Sequence, residues 1–252
     1  MKILFPKNIY TSMLSQVLPE DLRKDVTFRE ASVLSTELEA GNCDLALVPA
    51  CDLLKHSHFL VSSKVAIAFD GLLSNAFFYF MPEQNRFSDI YMKGDISTNE
   101  IILSKILFKE KYSQDVQIHL ETGQTDLKNK NYLMVGDVNL DHGLFNSGMS
   151  LSDEISEMLF MPYVNFVAAS KESRYLEQLN QALKDTDVLI EDNLDRLLGG
   201  FNLDESSKET IKNNFNSVYF EMTNSEVEAL KELLQLPYFH GITDDMVELK
   251  FV

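Results

Sequence analysis

Hydrophobic and polar positions along this chain fall into blocks of strand and helix length. The run "KILFP", Lys2–Pro6, is apolar enough for a buried strand, and "VTFREA", Val26–Ala31, alternates as a second. Between them "TSMLSQVLPEDL" predicts a helix that starts near Thr11 or Ser12 and stops near Pro19. Thr36 and Glu39 have capping-box spacing ahead of a very short helix that Gly41 ends. In "GNCDLALVPACDLL" the apolar run Leu45–Val48 then reads as a strand, flanked by Asp44 and closed by Pro49. This β-α-β-α-β alternation builds a parallel or mixed sheet with helices across its faces.

Two apolar segments follow, "SKVAIAFD" from Ser63 and "SNAFFYFM" from Ser74, with Gly71 between them suited to a turn. After Pro82 the polar "EQNRFSD" reads as a crossing between lobes. A second α/β group succeeds it. Ser97 and Glu100 form a capping box for the helix "NEIILSKILFKEKY", and "VQIHLE" and "NYLMVGDVNL" are strands, the latter ending in Gly136 and Asp137. "SLSDEISEML" is a short helix and "MPYVNFVAAS" a strand that carries the chain back. From Lys171 the pattern is mostly helical, with a strand in "NSVYFEM" and a capping box at Thr223 and Glu226. The final "MVELKFV" fits a tail or a last packed segment. The expected division is a discontinuous first lobe, 1–82 plus about 166–252, and a second lobe, 83–165.

Length and composition agree with a folded chain. Its 252 residues are 45% hydrophobic and 24% charged, with no long Gly/Pro-rich tract. The formal net charge of -17 argues against nonspecific attraction to nucleic acid or to an anionic membrane face. "MKILFPKNIY" does not read as a secretory signal, and nothing approaches the roughly 18 apolar residues of a membrane span. Cytoplasm is the default location. Cys43 and Cys51 lack a CxxC spacing and read as small buried side chains.

In an open α/β sheet, ligands bind where strand ends and helix starts face a crevice. Asn8, Ser74, the helix start Ser97-Thr98-Asn99 and Gly136-Asp137 meet that description. The exposed N–H groups at such a helix start suit a carboxylate or phosphate, although ordinary capping also explains Ser97, and turns explain Asn8 and Ser74. Lys7, Lys64, Arg86 and Lys93 are available to assist an anion or to serve as solvated surface groups. His56 and His58 stand two apart, while His119, His142 and His240 are scattered without an HExxH pattern, so no metal is expected. "LLGGFN" lacks the GxGxxG and GxxxxGK[ST] patterns and reads as a helix stop, and no GxSxG elbow is present.

Taken together, "DLALVPACDLL", "GLLSNAFF", "STNEIILSKIL", "MVGDVNL" and "MTNSEVEALKELL" resemble segments of the menaquinone-biosynthesis family that includes the chorismate dehydratase of the futalosine route. The resemblance covers most of the chain. It implies an α/β, two-lobed periplasmic-binding-protein-like (type II) fold with a central ligand cleft. It further implies cofactor-independent loss of water from chorismate to give 3-[(1-carboxyvinyl)oxy]benzoate, with a small dicarboxylate as the partner. Ser74 matches the family serine near the substrate and Asn8 the amino-terminal asparagine. Ser97, Thr98 and Asn99, with Gly136 and Asp137, would hold the substrate. The chain departs from the family pattern at "PKNIYTSML", at Met161 before Pro162, at Ser170 in place of a tryptophan and at Asn99 in place of a serine. A cytoplasmic carboxylate-binding protein without turnover is the alternative, and an interaction protein with an acidic surface is a third. No nucleic acid or membrane partner is expected, and a homodimer stays open.

Overall fold

The computed structural model describes residues 1–82 and 87–252. The chain enters through β1 (Ile3–Pro6), which is wholly buried. Helix α1 (Ile9–Val17) starts earlier than the periodicity suggests, because the Asn8 side chain accepts from the Thr11 amide and caps it. The one-turn α2 (Glu20–Arg23) leads to β2 (Val26–Arg29), and a 3-10 turn over Ala31–Val33 runs into α3 (Leu34–Glu39). The expected Thr36–Glu39 capping box does not form: Thr36 lies inside α3, whose preceding turn is held from elsewhere in the fold. Strand β3 (Leu45–Pro49) is buried at every position, and a 3-10 segment, Ala50–Leu54, follows its terminal proline.

The long β4 (Leu60–Phe69) completes the first group of strands, and β5 (Ala76–Tyr79) opens the second. The second group continues with β6 (Asp89–Gly94), α4 (Thr98–Tyr112), β7 (Gln117–Leu120), β8 (Tyr132–Val135), β9 (Met149–Ser150) and α5 (Leu151–Leu159). The chain returns through β10 (Tyr163–Ser170), buried throughout. Four helices follow: α6 (Ser173–Ala182), α7 (Thr186–Asp192), α8 (Leu194–Gly199) and α9 (Glu205–Asn214). Then come β11 (Val218–Glu221), the capped α10 (Asn224–Phe239) and β12 (Lys250–Phe251), so the ambiguous carboxyl end is a strand.

These strands make two sheets. One runs in the order β11-β4-β10-β3-β1-β2, with β12 added beside β4; the other runs β7-β6-β8-β5-β9. In the first sheet β1 pairs parallel to both β2 and β3, whereas β10 runs antiparallel to β3 and β4. Membership of the sheets changes between Phe69 and Ala76, at the Gly71 turn, and changes back between Ser150 and Tyr163. The aromatic segment expected in the first lobe therefore pairs with β8 in the second. Its four buried residues, Ala76–Tyr79, have the continuous apolar character of a central strand, which pattern alone cannot assign to either sheet. The polar crossing expected after Pro82 includes residues 83–86, which lie outside the described residues. Among the described residues no helix is long and apolar enough to cross a membrane.

Candidate functional site

The two sheets face each other across a cleft, and two acidic side chains of the second lobe reach over it. Strands β6 and β8 lie side by side in parallel, and each ends in a Gly-Asp pair, Gly94-Asp95 and Gly136-Asp137. Gly94 has φ +110°, and a Cβ there would stand 1.9 Å from the Val135 carbonyl oxygen, so the close pairing of the strand ends requires glycine. Gly136 also adopts a positive φ, +99°. Beyond the glycines, Asp95 accepts the Ala31 amide with both carboxylate oxygens at 2.8 Å, and Asp137 Oδ1 accepts the Ile9 amide at 2.9 Å. The first contact holds the turn ahead of α3, and the second holds the first amide of α1. Unpaired amides at a helix start attract negative charge, and these two starts have found it in carboxylates of the opposite lobe.

Both carboxyls have raised pKa values, mainly because their surroundings desolvate them. The donated amides work in the opposite direction, as does the Lys7 ammonium beside Asp137. Asn139 stiffens the Asp137 turn: its side chain donates to the carbonyls of Met134 and Gly136 and accepts from the Tyr79 hydroxyl at 2.9 Å. Asp95, Asn139 and Asn165 are the polar residues that sequence reasoning missed here. The repeated strand-Gly-Asp ending was the signal available for Asp95.

The expected site residues divide into committed and open groups. Ser74 is 4% exposed, and its hydroxyl donates to the Ala76 carbonyl while accepting from the Ala76 and Ser152 amides and from Ser152 Oγ at 2.7 Å. One proton and two lone pairs are filled by those four neighbours. Asn8 Oδ1 is occupied as the α1 cap. Ser97 and Glu100 form the expected capping box on α4, with Glu100 buried and its pKa pushed up by that burial. Asn99 is wholly buried and ties three segments together, since its Oδ1 accepts the Cys51 amide and its Nδ2 donates to the carbonyl and side-chain oxygens of Asn165. Thr98 is half-buried at the same helix start, and its hydroxyl has no partner among the described residues.

Asn8, Ser74 and Asp137 are linked through one neighbourhood. Tyr10 on α1 donates its hydroxyl toward the Ser74 carbonyl at 3.4 Å, and Asp137 raises the Tyr10 pKa after burial has done so more strongly. Asn99 instead joins α4 to the first lobe. Cys43 and Cys51 are both buried, which pushes the Cys43 thiol up to about 11 and Cys51 well above its usual value. Neither is poised as a thiolate at neutral pH. Lys93 is tied to the Gly123 carbonyl and Thr125 hydroxyl, while Arg86 lies outside the described residues.

Comparison places these features in a wider group. The sequence matches the family described as "Menaquinone biosynthesis" over residues 8–238. Among curated proteins, none matches the sequence. The fold is similar to that of protein AF1704 from Archaeoglobus fulgidus, at 14% identity and a TM-score of 0.73, covering 96% of this chain and 98% of that one. It is also similar to the alkanesulfonate-binding protein SsuA from Xanthomonas axonopodis pv. citri, at 12% identity and 0.68, covering 100% and 97%. The periplasmic aliphatic sulphonate binding protein SsuA from Escherichia coli gives 12% identity and 0.62, covering 99% and 95%. These likenesses establish an α/β, two-lobed periplasmic-binding-protein-like fold with a cleft between its sheets. They also correct the cytoplasmic default, because the scaffold is one that a periplasmic binding protein carries.

Proposed function

The chain belongs to the menaquinone-biosynthesis family, and from that premise we propose that it binds a small carboxylate between its lobes and holds it without turnover. The observation that carries this reading is the pair of carboxylate-to-amide contacts across the cleft, Asp137 on Ile9 and Asp95 on Ala31. Each marks a first-lobe helix start whose amide donates to a carboxylate group in that position. A ligand carboxylate entering the cleft takes over an amide as the aspartate swings away, so the exchange conserves hydrogen bonds. Thr98, half-buried at the α4 start, offers the ligand a hydroxyl that has no partner among the described residues. The sulfonate-binding proteins among the similar folds favour an anionic ligand in the same place.

Dehydration of chorismate is the second reading, and the family match favours it. It requires Ser74 and Asn8 to orient the leaving hydroxyl, and the Ser74 hydroxyl and the Asn8 Oδ1 are engaged within the protein. Calorimetric titration of the purified chain with chorismate, followed by chromatography of the mixture, separates the two. Saturable binding with chorismate recovered intact is the expected result. Formation of 3-[(1-carboxyvinyl)oxy]benzoate would select dehydration, and no binding of chorismate or of simpler dicarboxylates would reject both.

A further inference from the structure

Away from the cleft, the fold gathers three metal-ligating side chains that the sequence keeps apart. Glu39 is the last residue of α3, and His56 and His58 stand in the turn between the 3-10 segment Ala50–Leu54 and β4. His58 Nε2 lies 2.7 Å and His56 Nδ1 3.8 Å from Glu39 Oε2, and all three donor atoms lie within 4.8 Å of one another. We propose that Glu39, His56 and His58 form a surface site for a divalent transition cation of the zinc type.

The chemistry of the donors fits that class. Two imidazole nitrogens and one carboxylate oxygen are the three-ligand set that leaves Zn²⁺ an open fourth position. Bond lengths of about 2.0–2.1 Å put tetrahedral ligand atoms roughly 3.3 Å apart. The 2.7 Å pair must therefore part and the 3.8 Å pair approach by about half an ångström each, within the reach of side-chain rotation. The rings are already oriented. His56 stacks flat on Phe59, with centroids 4.9 Å apart and planes 7° from parallel, and His58 meets the same ring edge-on at 4.7 Å. Phe59 is buried in the core, so both imidazoles rest on a fixed support.

Surrounding charge shapes the site further. His58 also borders a groove lined by Asp244, Asp245 and Glu248, whose carboxylates draw cations toward the open side. Lys171 works against them, since its ammonium donates to the Glu39 carbonyl. In the metal-free protein His58 shares a proton with Glu39, and the pair holds the Glu39 carboxyl below its usual range. A cation takes the place of that proton, so binding releases it.

Titration of the untagged full chain with zinc chloride at neutral pH, in a buffer that does not chelate, tests the site. One equivalent should bind, with affinity lowered at least about tenfold in His58→Ala and in Glu39→Gln. The His119→Ala and His240→Ala variants, whose imidazoles pair with Asp89 and Glu110, should bind as the parent does. All four changes are at partly or fully accessible side chains, and circular dichroism would verify that each variant is folded. Absence of a one-equivalent site in the parent, or unchanged affinity in a folded His56→Ala/His58→Ala double variant, would overturn the assignment.

Discussion

At the scale of single residues, Ser74 shows how a side chain chosen for chemistry can be used up by structure. Its hydroxyl joins the start of β5 to the first turn of α5, two segments 78 positions apart. Replacement by alanine leaves the Ser152 hydroxyl and the Ala76 amide short of a buried partner, at a cost of roughly 1–3 kcal/mol. Ser74→Ala should therefore lower the midpoint of urea unfolding clearly, with any loss of ligand affinity following from the weakened fold. An unchanged midpoint together with lost affinity would return Ser74 to the binding site. From the sequence, a serine after a glycine turn was legible as a junction residue. Its satisfaction by Ser152 was not, because that contact depends on α5 packing across β5.

Secondary-structure elements begin where caps are found, and in this fold some caps come from the other lobe. The Ser97–Glu100 and Thr223–Glu226 boxes start α4 and α10 from within their own sequence, as the spacing predicts. The turn ahead of α3 has no side-chain cap of its own and depends on Asp95. Asp95→Ala should fray residues 31–33, with a loss of about 0.5–2 kcal/mol, the range for a helix cap. Hydrogen exchange would show it as faster exchange of the Ala31 and Ser32 amides, with the α4 amides unaffected. Equal protection in parent and variant would mean that the cross-cleft contact contributes nothing to that turn.

The whole molecule carries a net charge of -17, and its response to pH reflects how that excess is packed. Asp187 on α7 accepts the Phe220 amide at 2.6 Å beside Glu221 and Glu226, and desolvation, with repulsion from those carboxylates, raises its pKa from 3.8 to about 6. A folded-state pKa above the unfolded one means that the native protein binds more protons between those values. The stabilising contribution is then complete below about pH 3.8 and disappears as pH rises through about 6. Asp187→Asn keeps an oxygen for the Phe220 amide and removes the charge. It should flatten the stability profile between about pH 4 and 7 and raise stability at pH 7 by about 1–2 kcal/mol after solvent screening. Parallel profiles for parent and variant would exclude Asp187 as the group responsible.

The sequence by itself determined the features written within a few residues: the fully buried β1, β3 and β10, the capping boxes at Ser97 and Thr223, and the Gly-Asp strand ending at Asp137. Those follow from side-chain period and local hydrogen bonding, which a short window contains. Only the tertiary structure decided that β5 belongs to the second sheet, that Asp95 and Asp137 act as a pair, and that Glu39 meets His56 and His58. Asp137 reaches Ile9 across 128 positions and Asp95 reaches Ala31 across 64. A buried apolar strand satisfies either sheet, and an aspartate after a glycine satisfies any turn. The choice among partners is made by which amides and side chains the packed lobes leave within hydrogen-bonding distance, a property of the closed fold rather than of any segment.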